Sequence, residues 1–546
     1  MKDKNQKFIG KSICFLLTVA IISFLISACE REEFMIGDSE NYYPLSDDED
    51  MIVLGEELED PYKLTNMQKA YESLKTTESD VPKIDIKPTH YYLRFLPKDN
   101  DEWDLLRSDT TLPFYDFPLH YEIVNLGTYY HDPSLPDTVI TYQYCVLPVE
   151  KDIPIIQNEL IYEVFIPKEG SDAIMKSTST VFEFLKRLEY ESFRLTGNLD
   201  ENVLKSVDGI QSWTPQGTIK VYDQLMSMYI GLYGAQVHAR RFTHTEIALT
   251  NSYGWFVMDD TFNGDVNYSI KWERPAWDIR DGILLQAWLN GPKMDDPWNL
   301  NIGTGGKSIM YATIHRAAHR HFYDYNLGLH RPFLPLDGKT KLCYLDEEGT
   351  GMFLGDWSGS GIFPDILIWG KSPSTHSYKP TNVIFGTTAH ELGHQSHSLF
   401  MGNIQFWQTA MVIYESWATA VEWALTELEY DVVGTRYSSA TAINYCHEKA
   451  HQDWVRTSPG WEYSPIFIDL VDAFNQRNGG CVTPSYCQSG SSLYPNDLIT
   501  GYTLSGIQNT FLGDSYGLSS LRDEVKEHKI SGVTDSDVDE LFAKYW

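Results

Sequence analysis

Hydrophobic and polar positions divide this chain into stretches of different period. Residues 12–28 carry no charge and form one apolar run behind Lys2, Lys4, Lys7 and Lys11. From Glu30 to Asp60 the pattern dissolves into 13 acids and one base. Runs rich in Tyr, Ile and Val then predict strands over 89–96, 118–126 and 138–147, followed by a helix over 181–195. Short strands recur at Gly217–Asp223, Gly234–Val237 and Thr250–Phe256, and Asn251–Gly254 has the composition of a hairpin turn that needs positive φ. From Arg280 the period is mainly helical. Gly361–Trp369 is the exception, an apolar run whose early Pro364 suits an edge strand. A helix starting ahead of His390 and a second from about Gln408 to Leu428 flank the turn Met401-Gly402-Asn403. The expected fold class is α+β and multidomain: a signal segment over 1–28, an acidic tether over 29–80, an N-terminal α+β region over 81–212, a small β-sandwich over 213–280 and a mainly helical domain over 281–546.

The chemistry sits in Thr387-Thr388-Ala389-His390-Glu391-Leu392-Gly393-His394. On a helix, residues four apart share a face, so both imidazoles can reach one metal ion. Glu391 projects about 100° round the axis, where it can take a proton from a water without being a ligand. Zinc held by nitrogens with an open position lowers the pKa of its water to about 7, which is the chemistry of metal-assisted amide hydrolysis. The competing reading makes Thr388 and Glu391 a capping box beside two incidental histidines. Val383-Ile384-Phe385 upstream favours an earlier helix start. Gly393, costly in mid-helix by about 1 kcal/mol, favours a neighbour packed close to the backbone.

A third ligand is needed. The metzincin position is Phe400 rather than His, which excludes that type. His397 lies about 10.5 Å along the axis from His390, too far to share an ion, and is expected to support the ligands from behind, face substrate or lie exposed. Glu415, 21 residues after His394, and Glu422, one heptad further on the same face, both qualify; the neighbours of Glu415 favour it. Here the chain resembles the gluzincins, zinc peptidases with His-Glu-x-x-His and a downstream Glu. Glu415-Ser416-Trp417-Ala418 followed by Glu422 looks like the ligand helix of their aminopeptidase N group. The resemblance covers roughly residues 381–428 and implies a zincin-like domain with His390, His394 and Glu415 as zinc ligands and Glu391 as general base. It also implies an edge strand before the metal helix that pairs with extended peptide. Ser416 replaces the usual Gly, and the Gly-Ala-Met-Glu-Asn exopeptidase signature is missing from the sequence. Tyr463, Tyr437 and His451 are candidate donors to the oxyanion. His315 and His319, another i, i+4 pair, lack an adjacent Glu and stand beside Arg316 and Arg320, which would repel a cation, so the stretch reads as a helix flanking the active site rather than a metal pair.

The rest of the chain places this chemistry. Leu25-Ile26-Ser27-Ala28-Cys29 resembles the lipobox of bacterial lipoproteins, which implies lipidation at Cys29 and a membrane anchor. Acids directly after Cys29 resemble a surface-export signal, so an outer-membrane, surface-exposed lipoprotein is expected. The formal net charge is −33; residues 1–28 hold four Lys and one Asp, which leaves −36 on the remainder and argues against nucleic acid as a partner. The sandwich at 213–280 resembles the carboxypeptidase regulatory-like domain, a transthyretin-like module. Cys481 and Cys487 are close enough in sequence for a local disulfide in an oxidising exterior. The expected activity is peptide-bond hydrolysis. A non-catalytic lipoprotein that captures peptide or glycan, and a zinc hydrolase with a non-peptide substrate, are the rivals.

Overall fold

The structure, a computed structural model, describes residues 51–109, 111–167, 179–199, 212–304, 306–334, 338–355, 364–438, 463–475, 477 and 495–545. The fold is mixed α+β. In the N-terminal region, β1 (Val53–Glu57), β2 (His90–Phe95), β3 (Phe114–Tyr115), β4 (Tyr121–Asn125), β5 (Gln143–Pro148) and β6 (Asn158–Val164) accompany α1 (Leu64–Thr77), α2 (Asn100–Leu106) and α3 (Ser179–Leu195). One antiparallel sheet runs β3-β5-β2-β6, and β1 pairs with β4. The segment 29–80 is therefore not all tether: from Met51 onward it is folded. Met67, Ala70 and Leu74 recur at helical spacing on α1 and enter a core with Tyr62, Phe184 and Leu188. The acidic run ends at Asp60, ahead of this helix, whose own sequence holds one acid, Glu72.

The central strands are β7 (Gln216–Asp223), β8 (Met228–Gly231), β9 (Gln236–Arg241), β10 (His244–Leu249), β11 (Trp255–Val257), β12 (Val266–Lys271), β13 (Trp277–Asp281), β14 (Leu285–Gln286), β15 (Trp288–Met294) and β16 (Trp298–Ile302). Two sheets, β10-β9-β12-β15 and β11-β7-β16 with β8 on β7, turn apolar faces to one core, where Tyr268 stacks on Trp298 at 5.3 Å. The turn expected at Asn251–Gly254 is present, with Gly254 at φ 82 and Asn251 Oδ1 accepting from Tyr253 N at 2.9 Å. The boundary at 280 does not separate two units. β15 and β16 return to the sandwich sheets beyond it, while β13, which spans it, joins another sheet.

That other sheet has the order β14-β13-β17-β19-β18, with β17 (Thr340–Glu348), β18 (Gly351–Phe353) and β19 (Ile366–Lys371). β13, β17 and β19 are parallel; β18 folds back antiparallel and, among the described residues, forms one edge. The edge strand expected at Gly361–Trp369 is corrected accordingly. Pro364 precedes β19 and removes no ladder bond, so the strand is free to take an interior place.

Against this sheet pack α4 (Ser308–Phe322) and α5 (Thr381–Met401); α6 (Asn403–Gln408) and α7 (Met411–Tyr437) follow, with the bend after α5 made at Gly402, φ 87. The C-terminal α8 (Ile466–Val471), α9 (Leu504–Thr510), α10 (Leu518–Glu527) and α11 (Asp535–Phe542) build a second core against Trp417, Val421 and Leu425 of α7. α5 divides the two cores, giving Ile384 and Leu392 to one and Ala389 to the other. Cys145 and Cys343 are buried free thiols. Cys29, Cys446, Cys481 and Cys487 lie outside the described residues, and with them the expected anchor and disulfide. Among the described residues no helix is long and apolar enough to cross a membrane.

Candidate metal centre

α5 is buried on nearly every side, from Thr381 to Ser398. It starts nine residues ahead of His390, and Thr388 Oγ1 donates back to Ile384 O at 2.8 Å, an interior helical bond. Thr388 is thus not a cap, and Glu391 is released from the capping-box reading. Contact explains Gly393: a Cβ there would lie 3.2 Å from Val421 Cβ and 3.4 Å from Ala418 Cα of α7. Gly386 likewise admits Glu422, whose Oε1 would be 2.8 Å from an added Cβ. The contacts run in opposite directions along the two helices. Gly386 meets Glu422, whereas His394, about two turns later, meets Glu415.

His390, His394 and Glu415, all buried, bring one ligand atom each to within 4.8 Å of one another. Glu415 Oε2 lies 3.1 Å from His390 Nε2 and 3.2 Å from His394 Nε2. Those separations are close to the roughly 3.3 Å edge of a tetrahedron with zinc–ligand bonds of about 2.05 Å. Glu422 Oε2 meets the other ring nitrogen of His390, Nδ1, at 3.1 Å. His390 therefore faces a carboxylate through both nitrogens. A neutral ring carries one proton, so the second contact would set lone pair against lone pair unless a cation stood there. A proton meets that need, and burial opposes it; the carboxylates of Glu415 and Glu422 outweigh burial and raise His390 to about 9. Glu415 is held well below the usual carboxylate range, because His394 and His390 overcome the burial that would raise it. A divalent ion at Nε2 would satisfy the same geometry, with Glu422 fixing the Nδ1 tautomer. Two imidazoles and a carboxylate are a donor set that fits zinc.

Glu391 is buried one residue on, against the edge strand: a Cβ at Gly351 of β18 would overlap Glu391 Oε1. Tyr463 lies on the His390 side, with ring centroids 6.2 Å apart. Its position depends on Ser416, which accepts from Ser464 N at 2.9 Å and meets Ser464 Oγ at 3.0 Å. Ser416, which stands where the gluzincin pattern has Gly, thus ties the Tyr463 segment to α7. Tyr437, about four turns beyond Glu422 on α7, accepts from Gly231 N at 2.7 Å and belongs to another neighbourhood. His451 lies outside the described residues.

His397 is buried, not exposed: it packs edge-on against Phe406 at 5.3 Å and near Trp417, and burial lowers its pKa to about 3. His315 and His319 of α4 are buried. His315 Nε2 faces Tyr233 O at 2.9 Å, and Arg316 and Arg320 beside them pair with Asp223 and Glu429. A second group, His244, Glu246 and Asp260, also gathers donor atoms within 4.8 Å, and His244 Nε2 stands 3.8 Å from both acids, as in a histidine ion pair.

Sequence reasoning missed the outer partnership of Glu422, the clearance at Gly351 and the aromatic cluster of Phe353, Phe406, Trp407 and Tyr414 around His394. Only Glu422 left a signal, being one heptad from Glu415. In comparisons with known proteins, no family model, no curated protein and no solved structure matches the chain.

Proposed function

We propose that this chain is a zinc-dependent peptidase of the gluzincin type, with a zincin-like catalytic region formed by β17–β19 and α4–α7. The observation that carries the reading is the convergence of His390, His394 and Glu415 on one point, with Glu391 next to it. His390, His394 and Glu415 would hold the ion, which when bound supplies a Lewis acid and a water of lowered pKa. Glu391 takes the proton of the attacking water at its carboxylate and delivers it to the leaving amine nitrogen. Edge strand β18, lying over Glu391, offers backbone groups to an extended peptide. Tyr463 is the candidate donor to the oxyanion. Lipidation at Cys29 would keep this activity at the outer-membrane surface, with peptide or protein as substrate and no role for nucleic acid. Labelled palmitate should enter the wild type and not Cys29→Ala; equal labelling of both would remove the anchor from the proposal.

The deciding experiment compares metal content with turnover. Glu391→Gln should keep near-stoichiometric zinc yet cleave an unbiased peptide library at least about 10²-fold more slowly, the lower end of what a general base contributes. His390→Ala should lose both. Parent-rate cleavage by Glu391→Gln would refute the assignment. A zinc-loaded wild type that cleaves no peptide would favour the non-peptide hydrolase.

A further inference from the structure

The two sides of the metal site differ. On the His390 side stand Tyr463 and the carboxylate of Glu422. The His394 side is lined by aromatic rings. Phe353, at the end of edge strand β18, lies nearly parallel to His394, with centroids 6.4 Å apart and planes at 20°. Trp407 of α6 lies nearly parallel to Phe353, 6.5 Å away at 10°. At such spacings near-parallel rings are offset rather than face to face, so each leaves part of its face uncovered by the next. Phe406 and Tyr414 support this row from below, edge-on to Phe353 at 5.9 Å and to His394 at 5.6 Å respectively. The row ends at the surface: Trp407 is 44% exposed, and the neighbouring Ile404 is 73% exposed.

Trp407 and Ile404 thus carry the row of rings out to the surface beside His394, the setting in which a contiguous apolar patch marks a binding groove. The edge strand says what reaches it. A peptide paired with β18 projects alternate side chains to either face, and Phe353 marks the face that lies beside His394. We infer that His394, Phe353 and Trp407 form the floor of a substrate subsite that takes a large apolar side chain, aromatic above all, next to the scissile bond. The inference rests on the peptidase reading and adds the class of peptide cleaved.

Backbone pairing alone would hold any sequence, so the discrimination comes from this floor. Losing a bulky apolar contact of this kind changes selectivity by about 10-fold or more. Positional scanning of a quenched peptide library with the zinc-loaded chain should show one position beside the cleaved bond where Phe, Trp or Leu exceeds Ala and Asp by at least about tenfold in kcat/KM. Trp407→Ala should bring that ratio to about threefold or less at unchanged zinc content. Trp407→Glu should raise Lys and Arg above Phe at the same position. Cleavage with no apolar preference, or a preference that both variants leave intact, would overturn the subsite while leaving the peptidase standing. A zinc-loaded chain that cleaves no member of the library would remove both.

Discussion

Glu422 gives His390 what a ligating imidazole would need, an acceptor at the ring nitrogen turned away from Glu415. Its neighbour on the same face, Glu415, sits between the two Nε2 atoms. The two carboxylates are alike in chemistry and differ only in which nitrogen they meet, so their variants should separate. Glu415→Ala should leave the purified chain without zinc. Glu422→Gln should still bind it, about 10- to 100-fold more weakly in a chelator competition, because an outer partner tunes a ligand without replacing it. Zinc retained in Glu415→Ala and lost in Glu422→Gln would exchange the roles.

At the scale of elements, the N-terminal half of α7's buried stretch holds the site together. It supplies Glu415 and Glu422 to α5, and through Ser416 it fixes the segment that carries Tyr463. Ser416→Ala would leave the buried Ser464 N–H without its acceptor, at a cost of about 1–3 kcal/mol. Because the serine touches no ligand atom, the expected outcome is lower stability and a lower kcat at full zinc occupancy. Denaturation, metal content and turnover measured on one preparation check it; a variant with unchanged kcat would show that Tyr463 takes no part. Helical spacing alone makes α5 and α7 legible in the sequence, since both carry long apolar patterns. It could not reveal β18: three residues, Gly351–Phe353, are too few for a period, and their role comes from lying at the sheet edge over Glu391.

Across the whole molecule, the N-terminal region is welded to the strands that precede the site. Asp60 shows the seam: it accepts from Tyr62 N at 2.8 Å, from Tyr162 of β6 at 3.0 Å and from Thr243, between β9 and β10, at 2.8 Å. Burial raises its pKa from 3.8 to about 6 against those hydrogen bonds. The folded state therefore prefers the protonated carboxyl. The stability this adds is complete below pH 3.8 and is lost as pH rises through about 6, a change of about 3 kcal/mol. Unfolding measured from pH 4 to 7 should show that fall in the wild type, and Asp60→Asn should flatten it; an equal slope in both would place the titration elsewhere. Other buried charges cross the same seam, as where Arg107 of the N-terminal region meets Asp278 of β13 at 2.9 Å.

By itself the sequence determined that His390 and His394 share one helix face with Glu391 beside them, because four-residue spacing on a helix leaves the two imidazoles no other choice. It also marked the positions of β2, β4, β5, β7, β9 and β19 and the turn at Asn251–Gly254, whose chemistry is local, but not β17 or the strands between 285 and 302 in a stretch read as mainly helical. Which of two acids a heptad apart meets the imidazoles was decided only by how α7 packs on α5. So was the burial of His397, which shares the ligands' helix but lies under Phe406 and Trp417. The folding of residues 51–80 and the interleaving across residue 280 were likewise decided by pairing and burial between distant segments. A local period records which face of an element is apolar; it does not record what that face will meet.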